Sequence, residues 1–478
     1  MAVFPRRVPT PRARSAWTER PGRTAALSCA LAAALLAPGH WGNADDRAAT
    51  RPAQPEFRPP DVRPQHDAAE ARRLGIERYE STHLLLYADI EPDVARTLPP
   101  LIDQAVRAFE DYFGPLPPDR EGRPFQMTGF VMRDRERFIA AGMLRDDLPS
   151  FEHGRHRGAE FWMDDQPFDY YRRHLLIHEA THCYMTYVPR PRLPLWHFEG
   201  MAELFAVHRL DADGRAEFRA RPEPPADFQG FGRVAVIRRA VRDGGPLTVR
   251  DILALNARDF APQTSEPYAG SWALCLLLDQ HPRYRDRYHE LTRLPAGADV
   301  SIEFQRTFQS EAWELAAEWD HFTRTLTPGF DFDRNAIEFV EGRPLNGAAT
   351  IDVAADRGWQ STGILAEAGQ RYAISASGEA TLRRGERPWI SRPAGITIRY
   401  ANGHPIGRLE AAVLPPRPES KLDRPPRVFA TSDVGDRAVL VPEASGTLYL
   451  RINDATDSLA DNAAGYRVEI RAASPDEE

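Results

Sequence analysis

Lysine is nearly missing from this chain. Lys421 is the only one, so all but one of the 61 basic residues are arginine, a compositional bias to which we attach no function. Cysteine is almost as scarce, with Cys29, Cys183 and Cys275 only, too few for a disulfide framework. Cys183 and Cys275 are expected as buried thiols. Positive charge falls short of negative, 61 residues against 69, for a net charge of −8. Residues 1–44 hold six Arg and one Glu, so a chain without them carries −13. That surface repels a phosphate backbone, and no nucleic-acid partner is expected. Long apolar runs are also wanting. The one that stands out, Thr24–Ala37, follows an Arg-rich start and ends in the small residues Gly42-Asn43-Ala44, the pattern of a signal peptide over 1–44. The run is too short to span a bilayer, so the mature chain is expected to be secreted or held in the periplasm or cell envelope, without a transmembrane segment.

What is present is ample core: 42% of 478 residues are hydrophobic, enough for two or three domains. Residues 45–77 are rich in Pro, Arg and Asp without an apolar period and read as a linker. Ser81–Asp89, Phe125–Met132 and Gly158–Met163 read as strands, and Val94–Phe113 as an amphipathic helix. From Tyr170 to about Thr325 the pattern is helical. Residues 327–345 read as a second linker. Beyond it, short alternating segments such as Ala348–Ala354, Gly446–Ile452 and Gly465–Ile470 recur between turn residues, predicting an antiparallel sandwich over 346–474. The fold class is therefore α+β followed by an all-β sandwich.

The chemistry concentrates in the helical half. His178-Glu179-Ala180-Thr181-His182 lies within Tyr170–Tyr187, a segment without Pro or Gly, so two imidazoles four residues apart share one helix face with Glu179 beside them. H-E-x-x-H recurs by chance, and its context sharpens it. Glu199, in Trp196-His197-Phe198-Glu199-Gly200-Met201-Ala202-Glu203, lies 17 residues beyond His182 and opens a second helix running to about Arg209. A catalytic zinc takes three protein ligands and keeps one position open, and Glu199 completes the set with His178 and His182. Glu203, one turn further, is placed to accept the free N–H of a ligand histidine. Pro267-Tyr268-Ala269-Gly270-Ser271-Trp272 opens a later helix.

These residues resemble the gluzincin metallopeptidases, in which H-E-x-x-H is followed by a helix bearing Glu-Gly. They are similar to secreted bacterial members of that clan that share W-x-x-E-G-x-A-E and Y-A-x-S-W. The resemblance spans about 78–326 and departs at Phe198, where many members carry Asn. It implies a zinc metallopeptidase with a peptide or protein substrate, in which Glu179 serves as general base and acid and Tyr268 donates to the developing oxyanion. His281 stands second for that last role. It also implies that an edge strand, here 158–163, pairs with extended substrate, which would bring Glu160 toward a substrate amine.

The C-terminal segments, with Leu448–Asp454 followed by Asp461-Asn462, resemble the small calcium-dependent galactose-binding lectin of bacteria. That resemblance implies Ca²⁺ held by Asp454, Asp461, Asn462 and a backbone carbonyl near Ser458, and makes a glycan a candidate partner. Ser391–Gly395 lacks the sugar-contacting His and Gln of that lectin. The rival reading of the whole chain is a glycan-binding or adhesion protein whose zinc site is structural or vestigial. Glu179 separates the two, because a structural site has no use for an acid beside the metal.

Overall fold

A computed structural model describes residues 57–58, 63–188, 192–220, 232–260, 265–295, 297–417 and 428–477. The expected leader over 1–44 lies outside them. All of these described residues belong to one compact unit.

Its first half is built on a five-stranded sheet: β1 (Glu77–Glu80), β2 (Leu84–Ala88), β3 (Met127–Met132), β4 (Gly154–Arg157) and β5 (Glu160–Asp164), in the order β1-β2-β3-β5-β4. Strands β2, β3 and β5 are parallel, and β1 and β4 are antiparallel edges. Central β3 is buried along its whole length, and a Cβ at its Gly129 would lie 2.4 Å from the Phe161 ring of β5. Helices α1 (Ala68–Arg73), α2 (Pro92–Ala95), α3 (Leu98–Phe113), α4 (Arg135–Ala140) and α5 (Asp169–Tyr187) accompany the sheet. Leu84, Leu86, Phe161 and Met163 face the apolar sides of α3 and α5, whereas Tyr87, Phe130 and Trp162 form a smaller core with α1 and α4.

The helical part continues through α6 (Leu195–Ala206), the short hairpin β6 (His208–Leu210) and β7 (Ala216–Phe218), α7 (Arg233–Asp243), α8 (Val249–Leu253), α9 (Glu266–Gln280), α10 (Arg285–Leu291), α11 (Val300–Phe308), α12 (Ala312–Thr325) and α13 (Phe332–Asn335). The rest is two facing sheets. One runs β13-β14-β17-β10-β8, with β15 on β14; the other runs β12-β11-β18-β9, with β16 on β11. Their strands are β8 (Arg343–Pro344), β9 (Ala348–Ala354), β10 (Gln360–Ala366), β11 (Tyr372–Arg383), β12 (Trp389–Ser391), β13 (Ala394–Ala401), β14 (His404–Leu414), β15 (Ser432–Asp433), β16 (Arg437–Leu440), β17 (Gly446–Ile452) and β18 (Ala463–Ala472). Inward residues of both sheets, among them Ile374, Leu409, Leu450 and Val468, share one core, so this half is a β-sandwich and the chain is α+β.

Three readings change. Val94–Phe113 is two helices, because the chain turns at Arg96-Thr97 and restarts at Leu98, where Pro99 suits a first helical turn. The described part of 45–77 is docked: Asp67 caps α1 by accepting from Ala69 N and Glu70 N, and the His66 ring meets Tyr87 and Phe130 edge-on. The 327–345 stretch is also folded down. Ile337 N donates to Glu318 Oε1 at 2.7 Å, and Tyr449 OH donates to Glu338 O at 2.7 Å, with Ile337, Trp359, Phe429 and Tyr449 in a shared apolar cluster.

Candidate metal centre

Helix α5 carries the site because nothing in it favours leaving the helix until Val188, which takes extended dihedrals ahead of Pro189. Helix α6 starts after Pro194 and crosses α5 so that its first turn meets the histidine stripe. Close approach of α9 behind α6 depends on Gly200: a Cβ there would lie 2.5 Å from Cys275 Sγ and 2.6 Å from Ser271 O.

The packing brings His178, His182 and Glu199 together, their donor atoms all within 4.8 Å of one another. His178 Nε2 and His182 Nε2 are 3.1 Å apart, and Glu199 Oε2 lies 3.5 Å from the first and 3.3 Å from the second. Tetrahedral ligands about 2.1 Å from a zinc ion stand about 3.4 Å from one another. The triangle therefore fits the ion in size and in donor set.

Glu203 lies behind this triangle and is almost fully buried. His178 Nδ1 is 3.4 Å from Glu203 Oε1 and His174 Nε2 is 3.3 Å from Oε2, while Arg233 forks onto both oxygens with Nε at 2.9 Å. Of the two histidines four residues apart, it is His178 that Glu203 meets, through Nδ1. On His182 no such acceptor exists among the described residues. Its ring is instead held by Phe198, stacked at 4.3 Å, and His156 at 4.5 Å.

Burial raises the Glu179 carboxyl to about 8, with its neighbour Glu199 adding to the rise against His178. For His178 burial opposes the charge, yet Glu199 and Glu203 overcome it and lift the imidazole to about 9. His182 is lowered by burial, and Glu199 is held well below its usual range by the two imidazoles despite burial. These directions come from the protein groups alone; metal ligation requires both imidazoles neutral.

Tyr268 is half-buried in the first turn of α9, edge-on to Phe260 at 5.0 Å and beneath the Arg233 guanidinium at 5.7 Å. Burial raises its hydroxyl pKa, and the carboxylates of Glu199, Glu203 and Glu179 add to the rise. His281 is at the opposite end of α9, about 20 Å along the axis. Its Nε2 lies 3.1 Å from Glu318 Oε1, which takes it out of consideration as an oxyanion donor.

The edge of the sheet is β4, not the strand expected over 158–163. That strand is β5, enclosed between β3 and β4, and its Glu160 is buried, too deep to meet a substrate amine. Period-two alternation turns Gly154 and His156 of β4 toward α5. A Cβ at Gly154 would lie 2.5 Å from Glu179 Oε1, and His156 Nδ1 is 3.8 Å from Glu179 Oε2, an atom without a hydrogen-bond partner among the described residues. Burial lowers His156 to about 2, so it is neutral.

Sequence reasoning missed His156, His174 and Arg233. His174 had a signal, since His174, His178 and His182 form one stripe at intervals of four. The Gly158 turn with φ 62° marks the β4–β5 hairpin that carries His156. Arg233 had none.

In the sandwich, Asn462 Nδ2 donates to Asp454 Oδ2 at 3.1 Å and to Ala355 O at 3.1 Å, while Asn462 Oδ1 is buried without a partner among the described residues. Asp461 is exposed beside them. Burial raises Asp454 above its ordinary range.

No protein-family profile and no curated protein matches the chain. Among solved structures the chain is similar to a domain described as "EclA N-terminal domain; PllA-like lectin", at 23% identity and a TM-score of 0.20, over 27% of this chain and 97% of that one. Among the described residues, no helix is long and apolar enough to cross a membrane.

Proposed function

We propose that the chain is a secreted, zinc-dependent hydrolase of peptide bonds, its first half a gluzincin-type domain. The observation that supports this most directly is the 3.1–3.5 Å triangle of His178, His182 and Glu199 with a buried, unpartnered carboxylate oxygen of Glu179 beside it. When bound by three such ligands, zinc supplies Lewis acidity and lowers the pKa of water. Glu179 Oε2, buried and without a hydrogen-bond partner among the described residues, takes the proton from the attacking water and returns it to the leaving amine. Tyr268 OH donates to the oxygen on which negative charge develops. Glu203 holds His178 through Nδ1, and Arg233 keeps Glu203 ionised. In the sandwich, Asp454, Asp461 and Asn462 are hard oxygen donors suited to Ca²⁺.

The test is elemental analysis with turnover of a mixed peptide library. Wild type holds about one zinc per chain; His182→Ala loses it. Glu179→Gln keeps the metal and loses hydrolysis. Tyr268→Phe keeps metal and fold and slows turnover by about a hundred- to a thousandfold. Wild type that holds no zinc even when purified with zinc supplied ends this reading. Zinc with no hydrolysis favours the adhesion protein.

A further inference from the structure

The sandwich loop between β17 and β18 faces the helical half, and one of its residues is fixed there on several sides. Thr456, almost fully buried, donates from Oγ1 to Thr325 O at 2.9 Å, and this hydroxyl lies 3.2 Å from Thr327 Oγ1. Its carbonyl accepts from Asp331 N at 3.1 Å and from Asn335 Nδ2 at 2.9 Å. Asn335 is itself buried and also donates to Asp331 O at 2.7 Å. One short loop thereby holds the exit of α12 and the turn that leads into α13.

Two residues before this clamp stands Asp454. Its Oδ1 accepts from Ala455 N at 2.8 Å, so its carboxylate orientation is tied to the backbone running into Thr456. Its Oδ2 faces Asn462, the side chain with a buried, unpartnered oxygen. These two groups stand near the two ends of the loop whose middle carries the clamp.

We propose that loop 453–462 is a cation-set latch: a divalent ion with a taste for hard oxygen ligands, Ca²⁺ above all, fixes the loop shape in which Thr456 grips residues 325–335. The proposal rests on the calcium reading of Asp454, Asp461 and Asn462. It gives the sandwich a part in the helical half's integrity, where a swinging tether would have none.

The test is hydrogen exchange on the full chain, in CaCl₂ and in EGTA, read at 453–462 and at 327–337, with calcium counted by equilibrium dialysis. Where opening the junction requires release of the ion, free calcium at 100 times its Kd slows exchange of the Asp331 amide by about a hundredfold. The double variant Asn335→Ala/Thr456→Val keeps calcium-dependent protection of the loop and loses it at 327–337. Protection of the loop alone in wild type overturns the latch and leaves the calcium site standing. Absence of bound calcium overturns both. The wild-type comparison decides even where the double variant does not fold, and zinc content stays the same throughout.

Discussion

Arg233 of α7 and the almost fully buried Glu203 of α6 form a two-pronged ion pair, and Glu203 passes that restraint to His178 Nδ1. Arg233→Ala leaves a buried carboxylate with two histidines and no fixed cation, so stability should fall by about 3–5 kcal/mol. Zinc affinity should weaken about 10- to 100-fold, since the support of a ligand histidine is lost. Urea denaturation and competition with a chelator check the two effects separately. Arg233→Lys, which cannot fork, should recover less than half.

The contact between Gly154 and Glu179 leaves no room for a methyl group. Gly154→Ala should displace the Glu179 carboxylate while leaving His178, His182 and Glu199 in place. Zinc content should stay at the wild-type level and peptide turnover should drop by about a hundredfold or more. Unchanged turnover would show that Glu179 does not move the proton. His156→Ala should share the direction with a smaller size, because His156 only neighbours the same carboxylate.

Gly200 meets the backbone of Ser271 and the sulfur of Cys275, neither of which can swing clear. Gly200→Ala should therefore cost about 1–3 kcal/mol by overpacking. Because Glu199 is its neighbour, zinc binding should weaken along with the melting temperature. A variant with wild-type zinc affinity would place the metal site outside the influence of the α6–α9 seam.

His321 in α12 is buried with Nε2 unpartnered among the described residues, edge-on to Phe429. Burial, then Arg451 and His281, lower it to about 3. The sign follows from its neutral folded form: the unfolded chain takes up the proton below about 6.5, so stability is lost as pH falls from there toward 3. Between pH 6.5 and 5 this one group should remove roughly 2 kcal/mol. His321→Leu should show a loss smaller by that amount in urea titrations at the two pH values.

The metal ligands were legible because a helix turns a spacing of four into a shared face, and α5 contains nothing to interrupt it. Glu199 and Glu203 followed from the same periodicity on α6. Strand β4 was not legible: Gly-Arg-His-Arg has no apolar alternation, since its inner face covers a polar site and its other neighbour is solvent. Strand β10 is hard to read from the sequence for another reason. Gly363, with φ 68°, breaks its register against β17 between Ser361 and Leu365, so its alternation is out of step. Arg233 meets Glu203 only through tertiary packing, and no local pattern announces a partner 30 residues away.

Among the described residues the two free cysteines, Cys183 and Cys275, mark different seams of the helical half. Cys183 lies on the sheet side of α5, with Sγ 3.5 Å from Glu160 O, and Cys275 lies on α9 against Gly200, in reach of Tyr288 OH at 3.2 Å. Neither sulfur has space for an added oxygen or an alkylating group while its seam is shut. A thiol reagent therefore acts as a clock on opening: the order in which the two sulfurs are labelled tells whether the sheet leaves α5 first or α9 leaves α6.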